Sequence, residues 1–580
     1  MPEHLISAAQ FGELAAGYGG RQAMETLLAG QISRGMLLLR AVLAACPDER
    51  LPGDALTLIA DAQREDPAAV ESVLAHPFFA AWATNRVRAA HPGAGGDPGR
   101  LFAYAATAAI RAGLDFELAV PVRGGALWLP GLGLATGLGA APSATVRNRR
   151  REGVVIGGSE REVVVGRAFE SAMPGWLPLR IARAGIGDES IALMVEDLDP
   201  YRDLFQWPLA PRLSDEAVAD FQRLLGDAWT IVTRDHPEHA IALRTGLRAV
   251  VPLVSTDPAA EVSAASRLAC GSIGLAVPSD AETLAMLLIH EFQHMKLGAL
   301  LDLVPLYRPG GAPRHRAPWR PDPRPAGALL QGAFAHIGVT DYWRLRRRRR
   351  PGAAADLEFG YWLAQTIEAT DTLDRSGEMT DHGRRFVTGM ARTLRGWRET
   401  EELPPGIRRA VDDMSRAGSV AWRLRNVRPA QDSVERVLEE WRDQLAGHRA
   451  QAPSTEPSTS LPLLPGLARL VRQRTIGRST ERAGEPAVAY LRGDWPAATR
   501  RYQDSIAADP DDHENWVGLS LAAGRLDPDT AVARALAARP ELVRAAYRCL
   551  RGAGVAATVG AVAERVAYTE GGSMSQLNRV

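Results

Sequence analysis

Residues 288 to 296 read LIHEFQHMK, and within them His290, Glu291 and His294 form an H-E-x-x-H pattern. On a helix, positions four apart lie one above the other, so the two imidazoles can reach a single metal ion from one rigid turn. A third ligand has to come from further along the chain. His336, in LLQGAFAHIGV, ranks first, Glu368, in YWLAQTIEATDTL, ranks second as the position where a thermolysin-type peptidase would supply its ligand, and Asp302 is a third choice. Asp302 also suits an acceptor that orients an imidazole without touching the ion. His315 lies in an arginine-rich loop and is expected to be exposed.

Two chemistries fit such a site. With zinc, Glu291 becomes the general base that activates a bound water for peptide hydrolysis. With iron(II), two histidines and a third ligand leave positions open for dioxygen and a 2-oxo acid. The second chemistry needs a cation for the far carboxylate of the 2-oxo acid, and the planar fork of arginine meets a carboxylate with two hydrogen bonds. Arg320 and Arg324, set between prolines in APWRPDPRPAG, are the candidates.

The elements that must hold these residues can be read from periodicity. Apolar residues at helical spacing fill 1–92, and short β-rich runs such as FELAVPV, GVVIGG and EVVVGRAFE fill 115–200. Helical spacing returns over 214–447 and carries the metal-site segments. Before the motif, Ser279 and Glu282 have the spacing of a capping box, with Asp280 between them, which predicts a helix of about twenty residues following the strand GSIGLAV. The segment 450–466 is rich in Pro, Ser and Thr and reads as a linker between a catalytic region, 1–449, and a tail, 467–580. In the tail, Gly493, Trp495, Ala498, Tyr502, Ala507, Pro510, Trp516 and Gly518 follow a tetratricopeptide-like helix-turn-helix pattern. The expected fold class is α+β, predominantly helical, with a β-rich middle and a small helical tail.

LIHEFQHMKLGALLDLVPLY, followed by APWRPDPRPAGALLQGAFAHIGVTDYWR, resembles the HExxH-motif proteins of pathways that modify ribosomally made peptides. The N-terminal HLISAAQFGELAAG is similar to the opening of the same domain, so the resemblance spans roughly 1–445. Once read as peptidases, members of that family are described as 2-oxoglutarate- and iron-dependent peptide β-hydroxylases. The resemblance implies β-hydroxylation of a residue, plausibly aspartate, in a precursor peptide. It implies iron ligation by His290 and His294, while for the third ligand some relatives place a histidine where this chain has Gln331. It also implies a precursor-peptide partner, and since in that family such a domain occurs alone or fused to a radical-SAM maturase, a maturase of the same pathway is a further candidate partner. In this reading Glu291 acts in the surroundings of the metal and not as a base.

Composition bounds the alternatives. Lysine plus arginine equals aspartate plus glutamate at 68 each, so no global field draws the chain to nucleic acid or an anionic membrane. Cys46, Cys270 and Cys549 lie too far apart for a clustered cysteine metal site or a disulfide scaffold. No basic-then-apolar leader opens the sequence and no stretch of eighteen uninterrupted apolar residues occurs, so the expected address is the cytoplasm. The run WRLRRRRRP, 343–351, suits a solvated helix end or a contact with an acidic leader peptide. A homodimer and a non-catalytic peptide-binding scaffold both remain compatible with the sequence.

Overall fold

The computed structural model describes residues 4–44, 53–89, 99–167, 169–257, 261–445, 464–480 and 483–577. Most of the expected linker, together with Cys46, lies outside these residues. The fold is α+β and mostly helical, with the sheets in the middle segment and helices at both ends.

Two compact units partition the chain by core and not by chain order. The first comprises Met1–Leu306, Phe334–Tyr342 and Thr380–Met390; the second comprises Tyr307–Ala333, Trp343–Met379 and Ala391–Val580.

The first unit opens with helices, among them Arg21–Ala44, Pro67–Leu74, Phe79–Ala89 and Arg100–Arg111. Arg21–Ala44 is, among the described residues, the one helix long and apolar enough to cross a membrane by length and composition. It packs on Phe79–Ala89 and on the helix carrying the H-E-x-x-H motif, with Gly30 under Leu303 and Gly35 under Leu74. Next comes an antiparallel meander ordered Phe116–Pro121, Ser143–Arg149, Gly153–Gly157, Glu162–Gly166. Its first strand alternates strictly, burying Phe116, Leu118 and Val120 in a core shared with Arg100–Arg111, as a two-residue side-chain period requires.

A five-stranded mixed sheet follows, ordered Ser263–Ala265, Ser272–Leu275, Ala249–Pro252, Ile191–Val195, Arg180–Ala184. Ala249–Pro252 pairs in parallel with both neighbours, and all four of its residues are buried, as expected of a strand covered on two faces. The motif helix, Ala281–Leu303, leaves the end of Ser272–Leu275 and packs back over the edge strand Ser263–Ala265.

The second unit is a helical assembly with one apolar core that runs from Leu357 to Val566. The tetratricopeptide-like pattern appears there as Glu485–Arg492, Trp495–Ala508 and His513–Leu526. Gly493 ends the first of these at φ +81, and Gly518 gives the room that the Tyr502 ring fills. These helices share their core with Pro405–Asn426, so the repeat finds its packing partners upstream as well as downstream. The arginine run ends the helix Ala326–Arg349 and is largely engaged in this unit. Arg347 binds Asp356 and Glu401, Arg348 also binds Glu401, and Arg344 lies over the Trp397 ring.

Candidate metal centre

The motif helix begins one residue later than the capping-box reading predicts. Asp280, not Ser279, is the N-cap: its Oδ1 accepts the Thr283 N–H at 2.9 Å and its Oδ2 accepts the Thr283 hydroxyl at 2.8 Å. The shorter acid reaches both donors of the first turn and adds negative charge at the positive helix end, which a serine does not.

Most of this helix is enclosed on all sides, with Leu284, Leu288, Phe292, Leu297 and Leu300 buried. That is why the motif lies in a setting where charges are costly. His290 keeps 19% of its side chain exposed, whereas Glu291 is 3% exposed as a residue. The His290 and His294 ring centres are 5.0 Å apart, with planes at 83°.

His336 joins them from the middle of Ala326–Arg349, 7% exposed, with its ring centre 5.1 Å from that of His290 and planes at 85°. The approach depends on Gly338. A Cβ there would sit 2.9 Å from Gln293 Cγ and 3.0 Å from Ile289 Cγ2, so only glycine lets the two helices come this close.

The two ring-centre separations can be set against those of imidazoles that share one ion, although the ligand group with atoms all within 4.8 Å of one another is, among the described residues, His76, Glu196 and Asp199. An imidazole nitrogen about 2.1 Å from an ion puts its ring centre roughly 3.2 Å away, and two such rings at about 90–110° are then roughly 4.5–5.2 Å apart. The two measured separations, 5.0 and 5.1 Å, fall in that interval. Burial, with the neighbouring His294 and His336, holds the His290 pKa well below its ordinary value, so the ring is neutral and its lone pair available at neutral pH.

Glu291 is turned into the protein. Its Oε1 accepts the Ser263 hydroxyl at 2.6 Å and lies 3.8 Å from His290 Nε2, while its Oε2 is buried without a partner. Burial raises its pKa, against the pull of His294 and Ser263.

The other sequence candidates go elsewhere. Asp302 does not orient an imidazole: it accepts from Gln31 at 3.0 Å and from Arg267, with Arg34 also near, because about two further turns of helix carry it to the helix's end. In the second unit, Glu368 is held by Arg316. There too His315 is buried, contrary to expectation: it faces Arg324 in a short two-stranded ladder and bonds Glu378 at 2.8 Å. Arg320 and Arg324 both donate to Asp322, at 3.0 and 2.9 Å.

No family model and no curated protein matches this chain. The site is therefore read from its own geometry.

Several residues that support it escape the motif. Gln293 and Lys296 are buried on the same helix and donate to the carbonyl of Gly17, at 2.8 and 3.1 Å, fastening the N-terminal segment beneath the site. Burial lowers the Lys296 pKa to about 7, with Asp341 opposing. Asp341, one turn beyond His336, contacts His239 at 3.2 Å. The available signal was polar residues inside an otherwise apolar run, QHMKLGALL. Ser263 gave none, since it comes from a strand separated by a loop and another strand.

Proposed function

We propose that this protein is an iron(II)- and 2-oxoglutarate-dependent hydroxylase that acts on the β-carbon of a residue, with aspartate the expected target, in a ribosomally made precursor peptide. His290, His294 and His336 would hold the iron, as imidazoles brought together from two helices. The bound iron supplies the means to split dioxygen: one oxygen atom enters succinate as 2-oxoglutarate loses carbon dioxide, and the other enters the peptide C–H bond.

The observation that carries this choice over hydrolysis is the setting of Glu291. One of its oxygens is held by Ser263 and lies 3.8 Å from His290 Nε2, which places the carboxylate to support the His290 side of the centre. His290 and His294 both keep part of their surface open, whereas Glu291 is enclosed, which gives reactants an approach on the imidazole side. The resemblance of the 286–344 segment to peptide β-hydroxylases supports the same reading. Arg320 and Arg324, the sequence candidates for holding the 2-oxoglutarate carboxylate, lie in the second unit, where each donates to Asp322. The cytoplasm, a precursor peptide and a radical-SAM partner belong to the same proposal.

A zinc peptidase is the second reading, and one observation favours it. Glu291 Oε2 has no partner, and burial raises the carboxyl's pKa, the direction a general base requires. The two separate on product: with iron, 2-oxoglutarate and a candidate precursor peptide, the hydroxylase reading gives a peptide one oxygen atom heavier and one succinate per hydroxylation. Cleaved peptide with zinc, and no succinate with iron, would establish the peptidase.

A further inference from the structure

A second cluster of ligand-type side chains lies in the same unit, in residues that the H-E-x-x-H site does not use. His76 stands in the turn between Pro67–Leu74 and Phe79–Ala89, and Glu196 and Asp199 follow the strand Ile191–Val195. All three are buried, at 6%, 0% and 0% exposure. One ligand atom from each lies within 4.8 Å of the other two.

The hydrogen-bond inventory of these groups is incomplete in a particular way. Glu196 Oε1 accepts the N–H groups of Leu198 at 3.2 Å and Asp199 at 2.9 Å, but Oε2 has no partner. His76 Nδ1 faces the Phe78 N–H at 3.4 Å, longer than an ordinary hydrogen bond, so the contact leaves the tautomer open; Nε2 has no partner. Asp199 binds Arg100 Nη2 through both oxygens at 2.7 Å, and its Oδ1 also takes the Tyr201 N–H at 2.7 Å. That leaves a lone pair on Oδ2. The enclosure is aromatic, with Phe78, Tyr104 and Trp128 edge-on to His76 and the Arg100 guanidinium over Trp128 and Tyr201.

Two orphaned buried polar atoms beside a second carboxylate are costly unless something sits between them. Arg100 neutralises one of the two carboxylates, so one negative charge is left over. A proton or a cation can offset it. Burial beside Asp199 pushes the Glu196 pKa up to about 8, which is the mark of two acids sharing too small a space.

We infer that His76, Glu196 and Asp199 form a second, structural divalent-metal site, one imidazole nitrogen and two carboxylate oxygens, suited to zinc. An ion there ties the turn after Pro67–Leu74 to the loop after Ile191–Val195, joining the helical start of the unit to its mixed sheet. It is enclosed, and so takes no part in the chemistry at His290.

The test uses the full chain with the first site removed. In His290→Ala/His294→Ala protein dialysed against zinc, metal analysis should find about one ion per chain, and adding Glu196→Gln should remove it. Zinc should also raise the thermal midpoint of the double variant, and a chelator should reverse the rise. Should the Glu196→Gln protein fail to fold, zinc-edge absorption of the double variant decides: one nitrogen with oxygens supports the site, and a histidine-rich or sulfur shell overturns it. The proposal also fails if the double variant takes up no zinc, in which case a proton holds the cluster, or if Glu196→Gln leaves uptake unchanged.

Discussion

The centre around His290 and the cluster around His76 meet one constraint, burial, with opposite charge types. At the first, burial acts on potential cations: His290 and Lys296 are both pushed toward their neutral forms. At the second it acts on acids, and Glu196 and Asp199 are pushed toward theirs. The first also keeps part of His290 open to solvent, whereas both carboxylates of the second are 0% exposed. Imidazoles with an open side suit a centre where reactants come and go, and enclosed carboxylates suit an ion that stays.

The comparison breaks most sharply if His290 is removed. His290→Ala should abolish metal uptake at the first site and cut turnover by more than the roughly 100-fold typical of a residue that only supports a ligand. Zinc held at the second cluster should be unchanged. Ser263→Ala, which frees Glu291 Oε1, should weaken iron binding by roughly 10–100-fold, read by titration of the metal-free protein.

Gly338→Ala probes the helix crossing. The added methyl meets Gln293 and Ile289, so a loss of about 1–3 kcal/mol is expected in denaturant unfolding. Iron affinity should fall with it, because the same crossing sets His336 against His290.

The pH dependences of the two regions have opposite signs. Lys296 has a folded pKa of about 7 against the ordinary 10.5, so in that window the unfolded chain binds more protons and stability rises with pH. Lys296→Met should flatten that rise. Glu196, raised from 4.5 to about 8, makes the metal-free folded state bind more protons, so its stabilising effect is lost as pH climbs through that range. Glu196→Gln should remove that slope and leave the other.

These contrasts also explain what the sequence discloses. His290 and His294 are legible because a helix turns a four-residue spacing into a shared face, and His336 because it sits in an apolar helix after the motif. The sheet segments were legible from alternation, as in Phe116–Pro121. Ser263, Gly338 and Asp341 were not, since their roles come from a loop return and a helix crossing that no local spacing encodes. His76, Glu196 and Asp199 are drawn from places more than a hundred residues apart, and two of them read as ordinary loop acids. His315 misled because a polar neighbourhood signals exposure only when no half-buried acid, here Glu378, is waiting for it.

The central claim is tested most directly by adding 2-oxoglutarate to the anaerobic iron(II) protein and following the metal-to-ligand absorption of the complex. The account predicts a visible band that saturates with 2-oxoglutarate and disappears in His290→Ala. Iron that binds without any such band, or a protein that takes zinc alone at this centre and cleaves peptide through Glu291, would contradict it.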